Sequence, residues 1–521
     1  MAGLKVSVVV PVYNPGPDID DCIRTLLGQT MADDEYELIF VDDGSTDETP
    51  ALLDRLAAEH ANVHVRHEEN SGWSGRPRNL GMEMAQGEFL YFVDNDDWLG
   101  EEALERLYAM AKADDADIVV GKVVGHGKSV PRNLFRRNRS GVDIEWEPLL
   151  WLLTPHKLFR RAFVEAHGIR FPEGRRRLED HIFVMQAYFR QPCISVLADY
   201  PCYHWVLRDS GTNASFGRLD PASYFADMGE VLDIVDANVP PGALRDRLYS
   251  RWYRGKMLQR VVAVLSNADP VRRQALYEEM HDVAVERFPE SVDALLPFNL
   301  QLRSRLLRAG AYDALANLAQ LERTLKVGTG DIDVRSEGKA ARLRLTAWLE
   351  SEDGPLAFRR QNGAVTWVAP ATVEGSAADG LDAAPALEKS VVQVLLKRLA
   401  TQEEYRVPAE LERRLEQGPD GQLVPRLRVD AKIDAATGAA GAPLEPGSWA
   451  VFVMVIVGGF RMAGRVHDAP GTELLSLTVH GDGRVTTRAP RWRRRLRRRV
   501  PRPVLRAARR TQRAVRRARR R

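Results

Sequence analysis

The chain reads LIFVDDGS at residues 38–45 and FLYFVDNDD at residues 89–97. Each stretch begins as a short apolar run rich in β-branched and aromatic residues, which is typical of a buried strand. Each run then stops abruptly at acidic residues. In open α/β folds, ligands bind at the carboxyl edge of the parallel strands. The two stretches therefore predict an α/β fold with carboxylates at the ligand-binding edge of its sheet.

Residues 1–120 alternate strand and helix patterns. Strands are predicted at 6–11, 37–42, 63–66, 89–94 and 118–121, and helices at 19–27, from about 47, at 78–85 and at 101–113. Alternation of this kind predicts a parallel sheet with helices on both faces. The first part of the chain is therefore expected to form one α/β domain.

The pattern changes twice further along the chain. Apolar residues fall three and four apart between 221 and 327, including long helical stretches at 248–264 and 303–325. From Asp331 the period becomes two, and Gly, Pro and Asp turns separate the runs, as in a β-sandwich. We therefore expect an α/β domain at 1–217, a helical linker domain at 218–328, a β-sandwich (Ig-like) region at 329–488 and a basic tail at 489–521.

Charge is distributed unevenly along the 521 residues. Residues 491–521 contain 17 arginines and no acidic residue, which leaves 57 basic and 72 acidic residues in 1–490, a net charge of −15. Drawn as helices, the tail segments are basic and weakly amphipathic, which is typical of a surface that binds an anionic membrane or a polyanion. A disordered tail that binds nucleic acid or lipid indiscriminately is the alternative.

Cysteine usage and hydropathy bear on location. The three cysteines, Cys22, Cys193 and Cys202, show no paired spacing and favour a reducing compartment. The first residues run directly into a strand without a signal-peptide layout, and the apolar stretch at 449–460 is too short to span a bilayer. We therefore expect a cytoplasmic protein that is peripheral at the inner face of the cell membrane.

Five segments carry the chemistry. They are VVVPVYN at 8–14, VDDGS at 41–45, NSGWSGRPRN at 70–79, VDNDD at 93–97 and LED at 178–180. In this order and spacing the chain resembles the inverting, nucleotide-sugar-dependent family 2 glycosyltransferases of the GT-A class over about residues 5–215. The resemblance implies a GT-A, Rossmann-like catalytic domain that transfers a sugar from a nucleotide donor.

Two stretches narrow the resemblance. GRPRN at 75–79 and TPHKLFR at 154–160, the latter followed by FPE at 171–173, are similar to the wall teichoic acid glycosyltransferases that decorate poly(polyol phosphate) chains. The catalytic domain of those enzymes is followed by a helical linker and, in some members, by a β-sandwich region. This similarity implies a hexosyl- or N-acetylhexosaminyltransferase that acts on a polyanionic glycopolymer.

The first three segments are expected to bind a UDP-sugar. Asp42, at the mouth of the second strand, can accept a hydrogen bond from N3–H of uracil, with Pro11 and Tyr13 beside the base; the alternative is that Asp42 caps the following helix. Asn70, Arg76 and Arg78 are expected to contact uridine or the diphosphate. An arginine suits phosphate because its planar fork pairs bidentately, although a solvated basic loop is the alternative for both arginines.

The fourth segment is expected to bind a metal. Asp94 and Asp96 lie two apart on an extended segment and therefore on one side of it. The family pattern has Mn²⁺ or Mg²⁺ held there, bridging the diphosphate. Asn95 is assigned to nucleotide-sugar binding and Asp97 to support of the loop. An Asx-rich turn without a ligand is the alternative.

Asp180 is the candidate general base, because an acceptor hydroxyl is a poor nucleophile until its proton is removed. One carboxylate opposite the leaving group permits a single in-line displacement and inversion at the anomeric carbon. Glu179 is expected to orient the sugar or the base. Both residues also open a helix, where the helix dipole favours carboxylates, and this is the structural alternative.

The remaining candidates follow from the resemblance or from residue type. An arginine at Arg208 would close over the diphosphate, while Thr212 and Asn213 stand where some relatives carry a metal-binding His. His204 is expected to be packed rather than a ligand. Trp73 can stack on the sugar or the base, and His156 and Lys157 can bind an acceptor phosphate.

The expected partners are a UDP-sugar donor, a polyanionic acceptor, the anionic membrane surface through the tail, and a second copy of the chain in a homo-oligomer. No specific nucleic-acid binding is expected. Two alternatives stay open: the same chemistry on a capsular or other surface polysaccharide, and a glycan- or polyanion-binding scaffold whose transferase domain is inactive. The chosen sugar, the linkage and the function of the β region are not encoded in any motif.

Overall fold

The computed structural model describes residues 3–128, 130–131, 133–207, 220–267, 269–373, 380–398, 403–418, 421–439, 441–466 and 475–487. These residues form two compact units. The described residues of 3–260 and 267–295 make up the first, and the described residues of 261–266 and 296–487 make up the second. Within the described part of the chain, no helix is long and apolar enough to cross a membrane.

The first unit contains the α/β domain. Its strands are β1 (Val6–Val12), β2 (Tyr36–Asp42), β3 (Val63–His67), β4 (Phe89–Phe92), β5 (Trp98–Leu99), β6 (Ile118–His126), β7 (Arg139–Val142), β8 (Leu158–Arg160) and β9 (Ile194–Val206). Its helices are α1 (Asp20–Leu27), α2 (Thr49–Glu59), α3 (Gly75–Met84), α4 (Ala103–Ala113), α5 (Arg161–Ala166) and α6 (Glu179–Tyr188). Every residue of β1 and β2 is buried, and the polar Ser7 and Glu37 within them pair with each other, with Ser7 Oγ donating to Glu37 Oε1 at 2.6 Å.

One mixed sheet organises this domain. The strand order is β3-β2-β1-β4-β8-β6-β9-β5, and β7 pairs with β9. The strands β3, β2, β1 and β4 are parallel, whereas β8 is antiparallel to both β4 and β6. The prediction of an α/β fold of the GT-A type is therefore confirmed, but the expectation of a wholly parallel sheet is wrong beyond β4. The short β8 follows β6 after a long connection and runs antiparallel to both of its neighbouring strands.

Helical segments follow the α/β domain in the same unit. They are α7 (Pro221–Asn238), α8 (Ala243–Trp252) and α10 (Pro270–Arg287). A π-helical turn at Tyr253–Met257 and a 3₁₀ turn at Leu258–Arg260 follow α8 directly. The stretch at 248–264, for which the apolar spacing predicts helical structure, is helical but divided into the end of α8, the π-helical turn, the 3₁₀ turn and a short helix at Val261–Leu265.

The second unit begins with helices and continues as two antiparallel sheets. Its helices are α9 (Val261–Leu265), α11 (Phe298–Arg308), α12 (Tyr312–Thr324) and α13 (Ala384–Glu388). The stretch at 303–325 is helical as predicted, and it is divided between α11 and α12 at Gly310, whose left-handed φ of +67° follows the end of α11.

The sheets confirm the predicted all-β region. The first comprises β10 (Lys326–Glu337), β11 (Ala340–Ser351), β12 (Gly354–Pro355), β13 (Phe358–Gln361), β14 (Ala364–Trp367), β17 (Ala409–Gln417) and β18 (Leu423–Asp434). The second comprises β15 (Val391–Lys397), β16 (Glu404–Val407), β19 (Gly447–Val457), β20 (Phe460–Arg465), β21 (Ser476–Val479) and β22 (Val485–Thr487). The basic tail at 491–521 lies outside the described residues.

Candidate active site

The two acidic stretches end at the same edge of the sheet. Strand β1 lies between β2 and β4, with Val12 in register with Asp42 and Pro11 in register with Val41. The backbone N–H of Val93 donates to Val9 O at 3.1 Å, which carries the segment after β4 along β1. Asp42 and Asp94 therefore lie at the carboxyl ends of strands that flank one central strand, as the sequence predicts.

Asp42 is buried and anchored by two protein groups. Its Oδ1 accepts from the Ser45 backbone N–H at 3.0 Å, and its Oδ2 lies 2.8 Å from Nδ1 of His67. Helix α2 begins only at Thr49, and Asp47 accepts the Thr49 N–H at 3.0 Å. The interpretation of Asp42 as a cap of this helix is therefore wrong, because its carboxylate binds Ser45 and His67 and the N-cap residue is Glu48.

His67 belongs to no motif that points to a functional residue. It stands opposite Asp42 in the β2–β3 register, and its Nε2 lies 3.1 Å from Asp54 Oδ1. Hydrogen bonds to Asp42 and then to Asp54 raise the pKa of His67. A histidine therefore links the buried carboxylate at the sheet edge to the solvent-exposed helix α2.

The other residues assigned to the nucleotide lie at different depths. Pro11 is buried, whereas Tyr13 is 50% exposed and Asn70 is exposed. Arg76 is half-exposed, and its Nη2 donates to Glu68 at 2.8 Å. Arg208 lies outside the described residues, as do Thr212 and Asn213. The assignments of these residues to the nucleotide remain predictions.

Arg78 joins the two carboxylates expected to carry the chemistry. Its Nη1 donates to Asp180 Oδ1 at 2.6 Å, and its Nη2 donates to Asp94 Oδ1 at 2.8 Å. Glu179 Oε1 lies 3.8 Å from Nη1. Burial alone would lower the pKa of Arg78, but the surrounding carboxylates, Asp180 first, raise it. The residue is therefore a permanently charged bridge inside the site.

Asp94 also contacts His156. The Nε2 of His156 lies 3.2 Å from Asp94 Oδ2, and His156 is buried against Tyr203, with ring centroids 4.0 Å apart. Burial would raise the pKa of Asp94, but His156 and Arg78 outweigh it and hold the pKa far below its usual range. Asp94 is therefore ionised at neutral pH.

A cluster that can hold a metal forms around Asp94. Within the described residues, the metal-ligand atoms of Asp94, Asp97 and His156 all lie within 4.8 Å of one another. Carboxylate and imidazole ligands fit Mn²⁺, and oxygen ligands fit Mg²⁺. The sequence predicted Asp94 and Asp96 as the pair. The structure retains Asp94 in the cluster and adds His156, which sequence reasoning had assigned to acceptor phosphate.

Asp97 also supports the loop, as expected from the sequence. Its Oδ2 accepts from the Tyr203 hydroxyl at 2.6 Å, and its Oδ1 accepts from the Val206 N–H at 2.7 Å. The Tyr203 hydroxyl in turn accepts from the Asp94 N–H at 3.2 Å. Burial, and then Asp94 and Asp96, raise the pKa of Asp97. Strand β9 thereby fixes the acidic loop that follows β4.

Glu179 and Asp180 open helix α6. The preceding Leu178 adopts a left-handed conformation with φ +62°, and Ser74 Oγ donates to Glu179 Oε1 at 3.2 Å. Burial and the neighbouring Asp180 raise the pKa of Glu179 to about 7. A carboxyl with this pKa exchanges protons near neutral pH, whereas Asp180 is held against the Arg78 guanidinium.

Three further residues that the sequence singled out can now be placed. His204 stacks on Trp98 with centroids 3.5 Å apart, so it is packed as expected. Lys157 is fully buried and its Nζ donates to Leu152 O at 2.9 Å, which leaves no access for an acceptor phosphate. The guanidinium of Arg177 lies 5.1 Å from the ring centroid of Trp73.

Basic side chains, several of them lying over aromatic rings, form a group that the motifs did not reveal. Arg251 and Arg254 lie 4.9 and 5.0 Å from the ring centroid of Trp151, and Arg260 lies 4.9 Å from that of Tyr224. We call the group of Arg177, Arg251, Arg254, Lys256 and Arg260 the basic cluster.

Lys256 relates the basic cluster to the catalytic carboxylates. Burial, followed by Arg251 and Arg260, lowers the pKa of Lys256 to about 7, although Asp180 and Glu179 act in the opposite direction. Four members of the cluster come from the helical segment after the α/β domain, beyond the five motifs, so sequence reasoning missed them. A search for basic residues around the π-helical turn would have found them.

Comparisons with known proteins agree with the fold. The family "Glycosyl transferase family 2" matches residues 7–178, and "Glycosyl transferase TarS linker domain" matches residues 221–319. A crystal structure of Staphylococcus aureus TarS 1–349 in complex with UDP-GlcNAc covers 72% of this chain and 98% of its own, at 25% identity and a TM-score of 0.57. The fold and these matches define a family 2 glycosyltransferase of the GT-A type.

Curated relatives narrow the group. The poly(ribitol-phosphate) β-glucosyltransferase of Bacillus spizizenii is 31% identical over 339 residues, which are 64% of this chain and 53% of the relative. The poly(ribitol-phosphate) β-N-acetylglucosaminyltransferase TarP of S. aureus is 33% identical over 237 residues, 44% of this chain and 72% of the relative. The chain belongs to the same family of family 2 glycosyltransferases as these relatives. It spans about half the length of the Bacillus relative.

Proposed function

We propose that the protein is an inverting glycosyltransferase that moves a hexosyl or N-acetylhexosaminyl group from a UDP-sugar to a hydroxyl of a poly(polyol phosphate) such as wall teichoic acid. The observation that carries the proposal is the bridge Asp94–Arg78–Asp180, which puts a candidate base beside a candidate donor site. The similar poly(ribitol-phosphate) glycosyltransferases and the TarS structure in complex with UDP-GlcNAc support the donor and acceptor classes.

The donor half of the site is assigned to the sheet edge. Asp42 accepts from N3–H of uracil, with Pro11 and Tyr13 beside the base. Asn70, Arg76, Asn95 and Arg208 contact the uridine or the diphosphate. Since Asp42 is already oriented by Ser45 and His67, its carboxylate meets the base without losing rotamer freedom on binding.

Asp94 would hold Mn²⁺ or Mg²⁺ together with His156 and with Asp96 or Asp97. The buried, ionised Asp94 beside an imidazole fits such a cation. When bound, the ion neutralises charge on the diphosphate and favours its departure.

Asp180 acts as the general base. It removes the proton from the acceptor hydroxyl as the oxygen attacks the anomeric carbon and the bond to the diphosphate breaks. The proton ends on the Asp180 carboxylate, and a single displacement inverts the anomeric centre. Glu179, with a pKa of about 7, orients the sugar or the acceptor hydroxyl as either a donor or an acceptor of a hydrogen bond.

The basic cluster supports a polyanionic acceptor. It contains four arginines, which lie over three aromatic rings, and one lysine. The charges of Asp180 and Glu179 act on this lysine, Lys256, by raising its pKa. Arginine forks bind phosphate bidentately. A phosphodiester between two polyols would neutralise the cluster while presenting the neighbouring hydroxyl to Asp180.

We also propose a cytoplasmic protein held at the inner face of the membrane by the 17 arginines of residues 491–521. Near an anionic leaflet each basic residue adds about 1 kcal/mol. Self-association through the β region is a further part of the proposal. Removing residues 491–521 should abolish sedimentation with anionic vesicles and leave transfer to a short soluble acceptor within about twofold; loss of transfer would contradict the tail's assignment as an anchor.

Two other functions compete with this one. A capsular or other surface polysaccharide would require the same donor chemistry but no basic cluster. A glycan-binding scaffold with an inactive transferase domain would have no need for Asp42, Asp94, Asp96 and Asp180, all of which are present. The first alternative is separated by acceptor competition and the second by turnover.

The deciding experiment measures UDP release from a panel of UDP-sugars with Mn²⁺, with and without purified ribitol- and glycerol-phosphate polymers. We expect release from one donor to rise at least tenfold with one polymer. Release that no polyol-phosphate polymer stimulates would redirect the acceptor to another glycan. No release from any donor would favour the scaffold.

A further inference from the structure

The side chain of Arg78 lies in a rigid setting. It is 3% exposed, and its guanidinium carbon lies 5.1 Å from the ring centroid of Phe171. The next residue, Asn79, binds the backbone of Phe171 in both directions, with Nδ2 to Phe171 O and Phe171 N to Oδ1 both at 2.9 Å. The aromatic ring beneath the guanidinium is thus fixed to the same helix that carries it.

The same aromatic ring reaches the helix of the candidate base. Phe171 stacks on Phe183 of α6 at 4.0 Å between centroids and 4° between planes. At the other side, Gly75 of α3 lies so close to Pro172 that an added Cβ would meet Pro172 O at 2.3 Å. Helices α3 and α6 are therefore joined by packing beneath Arg78 as well as by its ion pairs.

The fork of Arg78 is divided between two elements of the fold. One terminal nitrogen binds Asp94 after β4, and the other binds Asp180 in the first turn of α6. An in-line displacement needs the base and the departing diphosphate on opposite sides of the anomeric carbon, within a few tenths of an ångström of the productive geometry. A planar fork with fixed nitrogen positions sets such a spacing, whereas a lysine ammonium cannot.

We propose that Arg78 is a positioning residue that sets the distance between the donor-side carboxylate Asp94 and the base Asp180, rather than a ligand of the UDP diphosphate. Its Nη1 holds Asp180 Oδ1 and leaves Oδ2 to receive the acceptor proton. Its charge also keeps Asp94, Glu179 and Asp180 from separating by mutual repulsion. This inference rests on the proposed function for the role of Asp180, but the bridge itself does not.

The test compares Arg78→Gln and Arg78→Lys with Arg160→Gln. Arg160 is the matched control because it also joins two carboxylates, Asp115 at 2.7 Å and Asp117 at 3.1 Å, outside the candidate site. Because positioning of a general base is lost, we expect kcat to fall about 10²–10³-fold in Arg78→Gln and about tenfold in Arg78→Lys. The Kd for UDP should stay within about threefold in both. Arg160→Gln should keep kcat within about twofold.

Two readouts separate positioning from a general structural role. Guanidinium ion at tens of millimolar should restore part of kcat in an Arg78→Ala variant. Direct Mn²⁺ titration should show tighter binding in Arg78→Gln, because the cation that competes for Asp94 is gone. A UDP Kd raised tenfold or more, with kcat retained at saturating donor, would overturn the proposal and return Arg78 to the diphosphate.

A double-mutant cycle keeps the test independent of the proposed function. If wild-type protein transfers no sugar, the proposed function fails, while thermal unfolding of Arg78→Gln, Asp180→Asn and the double variant still reports the bridge. We expect the two Tm shifts to be non-additive, because both changes remove the same Arg78–Asp180 ion pair. Additive shifts would overturn the bridge.

Discussion

Two loops with similar sequences lie on either side of strand β1, and their carboxylates have different partners. After β2, Asp42 is anchored by a backbone N–H and a histidine, and Asp43 accepts the Ser71 N–H at 3.0 Å. After β4, Asp94 is held by an arginine and a second histidine. The hydrogen bonds of the first loop fix its conformation, whereas those of the second bring charged side chains together. An acidic run at a strand end therefore identifies a site, while residues far along the chain decide its chemistry.

The largest expected effect is that of a change at Asp180, which Arg78 joins to Asp94 in the loop after β4. Asp180→Asn removes the group that accepts the proton but keeps a side chain of the same shape. Transfer should fall about 10³-fold, since general bases contribute roughly 10²–10⁴. UDP binding, measured by calorimetry, should be retained. Unchanged turnover would show that Asp180 is not the general base. The charged groups joined to the loop after β4 would then not serve proton transfer.

The second effect concerns the charged loop itself. Asp94→Asn takes a full negative charge from the cluster of Asp94, Asp97 and His156. We expect kcat to fall about 10²-fold and Mn²⁺ affinity to fall at least tenfold, because a carboxamide is a weaker ligand than a carboxylate. Metal titration followed by electron paramagnetic resonance checks this directly. Wild-type Mn²⁺ affinity in the variant would place the ion elsewhere.

The third effect concerns the loop after β2, which carries Asp42. Asp42→Asn places an amide donor where N3–H of uracil needs an acceptor, so the Kd for UDP should rise about tenfold, as for a lost hydrogen bond to a charged group. At saturating donor, kcat should change less than threefold. A variant that loses kcat instead of affinity would show that the two loops are not distinct.

The smallest effect is a pH dependence of stability. Because Asp42 and Asp54 raise the pKa of His67 above 6.5, the stabilising charge is present below that value and is lost as the pH rises through the higher folded-state pKa. Relative to His67→Gln, the wild type should therefore have a Tm higher by about 1–2 °C near pH 6, and the gap should close by about pH 9.

The control for this measurement is Asp54→Asn, which removes one of the two carboxylates hydrogen-bonded to His67 and keeps the other. Its Tm advantage over His67→Gln near pH 6 should be smaller than that of the wild type, and it should likewise vanish by about pH 9. Calorimetric scans at several pH values measure both variants. A gap for His67→Gln that widens with pH would reverse the sign and contradict the ion pair.

Much of this site was predictable because its residues sit in local motifs. Asp42, Asp94 and Asp180 each follow or begin an element whose pattern is visible in the sequence. Their partners were not predictable in the same way. Arg78 was assigned to the nucleotide, since the contact with Asp180 spans 102 positions and depends on how α3 and α6 pack. His67 stands opposite Asp42 only because of the β2–β3 register.

Two details of the fold could not be predicted from the sequence. Strand β8 has three residues, too few for a pattern, yet it turns a parallel sheet into a mixed one. The π-helical turn at Tyr253–Met257 divides a stretch whose apolar spacing indicates only that it is helical. Lys256 lies in that turn, so the same irregularity hid a member of the basic cluster.

Leu178 has a consequence for the evolution and engineering of this protein. A branched residue at φ +62° costs about 1–2 kcal/mol relative to glycine, and it stands immediately before Glu179 and Asp180. Replacement by Gly would relieve that conformation, but Leu178 is 8% exposed, and truncation of a buried leucine side chain costs about 2–5 kcal/mol. The packing of this side chain therefore outweighs the cost of its backbone conformation, and a library selected for thermal resistance should keep leucine at this position. The strained turn before Glu179 and Asp180 is thus preserved by the core, whether or not selection acts on turnover.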